Sequence, residues 1–370
     1  MSKVGEGADD ERVAVLLVGQ GPPTHGGIPT FVGRLIQNEW MGRRARFDFL
    51  NTTPPGLKEP GRPTIANVRQ ALRDARGVLM RGRRADVVHL HLSPAPLLPL
   101  IRALFLVVAA RLAGARVVLH AHSGLLHRSV RHPAYRLVLR ITLALLHAFV
   151  VVSREAEAAV RPLGRRVVRI ENGIDVQHFL PRTKDPAHPL LAFVGTVCER
   201  KGLIDLADAL QRIVADQGDA PQLRVAIVGD DRQEGPGALE RIRKGFMERG
   251  LASVEFVGAV EPDRVADILA EAGIFCLPSH WEGFPLSLLE AMAAGAAVIA
   301  TRVGDIPYIL DDGLAGVLVD VRDIVGLAHA IKRLATDQEE RNRLGGAARR
   351  RVEDRFDEDA MMERIYELYR

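Results

Sequence analysis

Short, almost unbroken apolar runs closed by turn residues recur along the chain, and this rhythm restricts the fold more than any other feature. RVAVLLVGQ from Arg12, FDFLNTT from Phe47, DVVHLHLS from Asp86, ARVVLHAHSG from Ala115, LLHAFVVVS from Leu145 and RRVVRIENGID from Arg165 all have strand length. Their continuous apolar character suits strands buried on both faces of a parallel sheet. After a proline-rich polar link, His178 to Pro189, the rhythm resumes with LLAFVGTV from Leu190, LRVAIVGDD from Leu223, VEFVGAV from Val254, IFCLPS from Ile274 and AAVIAT from Ala296. Helical stretches separate many of the runs, among them Ile28 to Glu39, Thr64 to Arg81 and LIDLADALQRI after Gly202. Strands alternating with helices predict an α/β fold with doubly wound parallel sheets, and ligands bind such sheets at the carboxyl ends of the strands. At 370 residues the chain is long for one domain and natural for two. The expected division is a flexible lead-in over 1–11, a first domain over 12–180, a second over 190–354, and a terminal helix within 355–370.

The densest chemistry lies in SHWEGFPLSLLEAMAAG, Ser279 to Gly295. Pro285 fits the first turn of a helix, where its missing N–H costs nothing, and Gly295 is placed to end that helix. The amides of Leu286 and Ser287 at the helix start form a site for a phosphate. Gly283 permits a close approach to the backbone, and Glu282 precedes the helix. Glu290 falls on the helix itself, apolar nearly all round, so its carboxylate needs hydrogen-bond donors. Ligand hydroxyls would serve, and so would a protein partner in the core. Upstream, the order strand, glycine loop, Arg200-Lys201, helix can hold a cation against a diphosphate. Gly26 and Gly27 open another helix after a strand, which suits either an anion loop or a plain turn.

Glu282 and Glu290, with seven residues between them, GFP after the first acid and EAMAAG at the second, resemble the signature of retaining GT-B glycosyltransferases, specifically glycosyltransferase family 4. The resemblance spans nearly the whole chain, and it implies two Rossmann-like domains facing a cleft, with the last helix crossing back to the first. It implies that Glu282 lies by the transferred sugar. Gly283, Phe284, Pro285, Leu286 and Ser287 then meet sugar and diphosphate, and Glu290 binds the ribose. By the same resemblance Lys201 binds phosphate, Val257 and Gly258 meet the base, Gly26 and Gly27 border the diphosphate and the acceptor cleft, and His122 hydrogen-bonds the donor sugar. His122, Lys201 and Glu282 are the expected catalytic residues, with Arg200 in support. Thr196 departs from the family, which usually has Arg there, and Tyr308 stands where many relatives have Glu.

Four histidines, His89, His91, His120 and His122, cluster near strand ends, but no cysteine or acid spacing accompanies them. Satisfied structural histidines are expected at 89, 91 and 120, and no metal. Asn172-Gly173 reads as a turn, resembling the family's NGxD, and Asp230-Asp231 as a solvated turn. Two cysteines exclude a disulfide framework and suit a reducing cytoplasm. Arg102, Arg111 and Arg140 interrupt the longest apolar runs, so no transmembrane helix is expected. Net charge is a modest +4, but Arg69, Arg73, Arg76, Arg81, Arg83, Arg84, Arg128, Arg131, Arg136 and Arg140 concentrate in the first half. Such a face suits anionic lipid or plain solvent, and nucleic acid poorly, since aromatics do not interleave it.

The resemblance implies a retaining, metal-independent transfer of a hexosyl unit from a nucleotide sugar, UDP favoured, to a glycan, glycolipid or small-molecule acceptor, in polysaccharide or glycoconjugate biosynthesis. No cofactor is expected. The expected location is cytoplasmic or peripheral on the inner membrane face. Alternatives are a nucleotide-sugar-binding protein with little turnover, which Thr196 keeps open, or a sugar-nucleotide epimerase.

Overall fold

Two six-stranded, all-parallel sheets carry the chain. The computed structural model describes residues 11–21, 26–53, 64–164, 166–182, 184–185, 187–216, 221–231 and 237–370. The predicted lead-in, apart from Glu11, and the Pro/Gly-rich segment 54–63 lie outside the described residues. The first sheet comprises β1 (Val13–Gly19), β2 (Ala45–Asn51), β3 (Val87–Leu92), β4 (Arg116–Ala121), β5 (Ala148–Val151) and β6 (Val167–Arg169), in the order β2-β1-β3-β4-β5-β6. The second comprises β7 (Leu190–Val194), β8 (Arg224–Val228), β9 (Glu255–Gly258), β10 (Ala272–Leu277), β11 (Ala297–Thr301) and β12 (Val317–Val319), in the order β12-β11-β10-β7-β8-β9. Every residue of β3, β5, β7, β10 and β11 is buried, which is why these strands read as continuous apolar runs rather than alternating ones.

One boundary differs from the sequence reading, and the terminal helix falls within the expected 355–370. Leu145 ends a helix, Pro133–Leu145, instead of opening a strand, because a buried helix end and a buried strand look alike when both are apolar. The charged tail forms two helices, Gln338–Arg355 and Glu358–Glu367, separated at Phe356 and Asp357. The second crosses to the first domain. Met361, Met362, Ile365 and Tyr369 join the core beneath β1, β4 and β5, together with Phe31 and Leu35. Beside that crossing, Ile174 donates its N–H to Phe356 O at 2.8 Å, so the outgoing and returning connections touch.

Strand order reverses between β7 and β10 in the second sheet, and between β1 and β3 in the first. Such reversals separate the loops that leave adjacent strand ends and open a crevice there. The loop after β7 turns through Gly202, at φ 68°, into the helix Leu203–Ala215. A Cβ at Gly202 would stand 1.9 Å from Pro278 O, so only glycine lets this loop lie against the end of β10. Gly202→Ala should therefore destabilise the second domain by more than about 2 kcal/mol, combining backbone strain with the clash. Gly114, at φ 89° with nothing near its missing Cβ, is the control, and Gly114→Ala should cost only about 1 kcal/mol. Urea unfolding of the two variants checks the difference, and equal losses would mean that the close approach does not govern this loop.

Candidate active site

The crevice at the β7/β10 reversal gathers the predicted residues of the second domain. Lys201 sits on a short turn, Glu199–Lys201, and is buried. Its Nζ donates to Glu282 Oε1 at 2.5 Å, and Ser279 Oγ donates to the same oxygen at 2.7 Å. Thr301 Oγ1, at the end of β11, holds Ser279 O at 2.5 Å, which ties a third strand end to the cluster. Arg200 lies alongside, Nη1 3.9 Å from Glu282 Oε2, with its guanidinium over the Trp281 ring. The His280 N–H donates to Arg200 O at 2.8 Å, and the His280 ring meets Asp205 at 2.9 Å, stitching the two loops together. Burial pushes the Glu282 carboxyl up, but Lys201 and Arg200 outweigh it and hold the carboxyl below its ordinary 4.5. It is an anion at neutral pH, already fixed by two cations.

Along the neighbouring strand ends, Gly195, Gly229 and Gly258 all have positive φ. Gly195 N–H donates to Val228 O at 3.0 Å and Gly229 N–H to Gly258 O at 2.8 Å, so backbone bonds link the ends of β7, β8 and β9. The helix Leu286–Ala293 starts beyond Glu282 with Pro285 at its N-cap, one position before the first-turn place expected from sequence. Proline supplies no side-chain cap, so the first amides, at Leu286 and Ser287, face the half-exposed surface without one.

Both domains form the walls. Gly124, after β4, lies so close to the Glu282-Gly283 peptide that a Cβ there would meet Gly283 N at 2.9 Å. Gly304, at φ 53°, also presses on this peptide, its missing Cβ 2.4 Å from Glu282 O. Gly283 thus lies close to the first domain's backbone, a neighbour the sequence reading did not foresee. Asn172 Nδ2 donates to Phe284 O at 2.9 Å across the domains, so the NGID segment anchors the site loop as well as turning the chain. Asp305, which sequence reasoning missed, accepts from Arg154 N at 2.7 Å and donates its own N–H to Gly283 O. Burial raises its carboxyl to about 6.

Of the two kinds of donor expected for Glu290, the structure shows a protein partner, Arg34, whose Nη2 stands 2.7 Å from Glu290 Oε1. Arg34 belongs to the helix Gly27–Gln37, whose N-cap is Gly26 at φ 138°. The predicted glycine loop and the predicted acid are therefore joined by a residue that carries no local signal, since its partner is 256 positions away. His122 lies at the end of β4, its N–H on Leu92 O, its ring 3.2 Å from His91 Nδ1, and burial pushes it down to about 3, so it is neutral. Asp231 is not merely solvated, because it accepts from Leu239 N at 2.9 Å. Tyr308 retains a polar contact, its hydroxyl 3.3 Å from Glu171 Oε2 of the first domain.

Two parallel doubly wound domains, with strand ends meeting across a crevice and a last helix returning to the first domain, define the GT-B class of glycosyltransferases. The sequence model described as "Glycosyltransferase Family 4" matches residues 31–178, and that described as "Glycosyl transferases group 1" matches 188–337. The chain belongs to this family. It is 29% identical over 301 residues to the glycogen synthase of Mycobacterium tuberculosis, covering 79% of this chain and 70% of that one. Sucrose-phosphate synthase from Thermosynechococcus elongatus shares the fold with a TM-score of 0.78 at 22% identity, over 97% of this chain and 98% of that one. HepE from Anabaena, solved with UDP-glucose, superposes with a TM-score of 0.71 at 16% identity, over 95% and 98%.

Removing Lys201 exposes what its ammonium does for Glu282. Glu282 in the native chain contributes its stability in full above pH about 4.5 and loses it as pH falls through the lower folded value. Lys201→Met leaves burial dominant, so the folded value should rise above 4.5 and the contribution should reverse sign. The variant should be less stable than the parent by ~3 kcal/mol at pH 7. It should recover part of that by pH 5, and Glu282→Gln in the same chain should restore part of it at both pH values. Urea midpoints at the two pH values check this, and a loss independent of pH would show that the pair is not coupled.

Proposed function

We propose that this glycosyltransferase moves a hexosyl unit from a UDP-sugar to an acceptor held in the crevice, with retention at the anomeric carbon. The observation that carries the reading is the buried Lys201 ammonium at the β7/β10 reversal, fixed against Glu282 beside a helix start whose proline N-cap offers no side chain. HepE, which shares the fold, was solved with UDP-glucose, and that supports the choice of donor.

In the reaction the bond from the anomeric carbon to the diphosphate oxygen breaks and a bond to the acceptor oxygen forms on the same face. The acceptor's proton passes to the departing phosphate. Negative charge grows on the diphosphate, and Lys201, Arg200 and the amides of Leu286 and Ser287 stabilise it where it develops. With these cations and dipoles in place the step calls for no divalent ion. Neutral His122 and the anionic Glu282 orient the sugar, Val257 and Gly258 take the base, and Glu290 meets the ribose while sharing its charge with Arg34. Gly26 and Gly27 flank the acceptor side.

A panel of nucleotide sugars with thermal-shift and turnover readouts tests this. A UDP-sugar should raise the melting point by mass action and be consumed, with the product's anomeric configuration equal to the donor's by NMR. Folded Lys201→Ala and Glu282→Ala should each lose about 10²-fold or more in kcat. Binding without turnover, inversion, or normal activity in folded Lys201→Ala would each overturn the reading.

The outer face of the first domain supports an anionic membrane surface as the place of reaction. The helices Leu97–Leu112 and Pro133–Leu145 pack side by side and expose Phe105, Leu112, Leu137 and Ile141, with Arg111, Arg136 and Arg140 among them. Apolar side chains flanked by arginine suit the boundary between headgroups and acyl chains. Arg81 belongs less to this surface, because it pairs with Asp48. Among the described residues no helix is long and apolar enough to cross a membrane. The protein should float with vesicles containing anionic lipid and not with neutral ones, and Phe105→Ser with Leu112→Ser should abolish flotation. Binding indifferent to lipid charge would overturn it.

A further inference from the structure

His89 and His91, two residues apart on β3, face the same side of the sheet, and His120 on β4 stands in register with His91. All three rings are fully buried. Each offers one nitrogen such that the three atoms lie within 4.8 Å of one another. Two of the rings have one nitrogen engaged. His89 Nδ1 meets Tyr369 Oη at 2.7 Å, and His91 Nδ1 meets His122 Nε2 at 3.2 Å. The remaining nitrogens, His89 Nε2, His91 Nε2 and both of His120, have no hydrogen-bond partner among the described residues. The satisfied structural histidines expected from sequence are therefore not found. Four buried ring nitrogens without partners at one spot are too costly for a fold to leave unanswered, at roughly 1–3 kcal/mol each.

We propose that His89, His91 and His120 bind one divalent transition cation of the imidazole-preferring class, zinc, cobalt, nickel or copper, inside the first domain. Neutral imidazole carries one N–H and one lone pair. With Nδ1–H of His89 on the Tyr369 oxygen and Nδ1–H of His91 on His122, each ring keeps its unpartnered Nε2 as a lone pair available to a cation. Outer partners that fix the tautomer in this way accompany histidine ligands of metals. The donor set is nitrogen alone, which suits borderline cations and excludes magnesium and calcium, both of which take oxygen ligands. Phe31 closes the apolar side, its ring centroid 4.9 Å from that of His120 and 5.3 Å from that of His91. The cation would fasten the end of the chain, through Tyr369 and His89, and the ring of His122, through His91, to a single centre. This inference does not rest on the reaction proposed above.

The full chain, carried without a histidine tag and refolded or equilibrated with Zn²⁺ or Co²⁺, tests it by elemental analysis and absorption. About one equivalent should remain after dialysis, cobalt should show the visible bands of nitrogen-ligated tetrahedral geometry, and zinc should raise the melting point. His120→Asn should abolish retention. Tyr369→Phe, which keeps the ring and the fold, should weaken affinity by about 10–100-fold. No retained metal in the native chain, or retention unchanged in His120→Asn and in Tyr369→Phe, would overturn it.

Discussion

A buried ammonium and a buried carboxylate, Lys201 and Glu282, meet at the place where the second sheet reverses its strand order, and the rest of the crevice is arranged about them. The carboxylate would be costly there alone, because burial in low dielectric favours its neutral form. Their pairing lets two loops from adjacent strand ends share one position, and Ser279, Thr301 and His280 reinforce it through hydrogen bonds to groups on both loops. A fixed pair of opposite charges also suits chemistry in which a leaving group gains charge. Such a site is already organised before substrate arrives, and reorganisation is what catalysis in water must otherwise overcome.

The crevice is equally a product of close backbone contacts. Gly124 and Gly304 both press on the Glu282-Gly283 peptide, while Asn172, Arg154 and Arg34 reach nearby residues from the first domain. Glycines and backbone amides make the closest of these approaches, and Arg34 with Glu290 and Tyr308 with Glu171 add side-chain links across the seam. Asp305 belongs to the same seam, held by a first-domain amide and buried enough for its carboxyl to titrate near neutrality.

The two-domain parallel fold was legible because strands buried on both faces cannot alternate, and their continuous apolar runs stand out from the amphipathic helices between them. The site loop was legible because two acids, a glycine, a proline and a helix start lie within a few residues. What lay beyond reach was long-range. Arg34 is one arginine among many until the fold sets it against Glu290, and Gly124 is one more turn glycine until Gly283 arrives opposite. The histidine rings were visible as a pattern on β3 and β4, but their lack of partners depends on what packs over them from Phe31 and Tyr369. The Leu145 boundary failed for a different reason: where both helix and strand are wholly buried, neither period shows.

The outgoing connection at Ile174 and the returning one at Phe356 are bonded to each other, and a Cβ on Gly173 would strike Asp357 O at 2.5 Å. Two covalent tethers lashed together along one line act as an axle, and sliding of the lobes past each other would tear the lashing. Gaping about that line is the motion left to them, and it would have to part the contacts that span the seam, Arg34 with Glu290, Asn172 with Phe284 O and the Arg154 amide with Asp305. Opening the crevice then means releasing several small polar contacts together, with the bonded connections at Ile174 and Phe356 as the fixed edge.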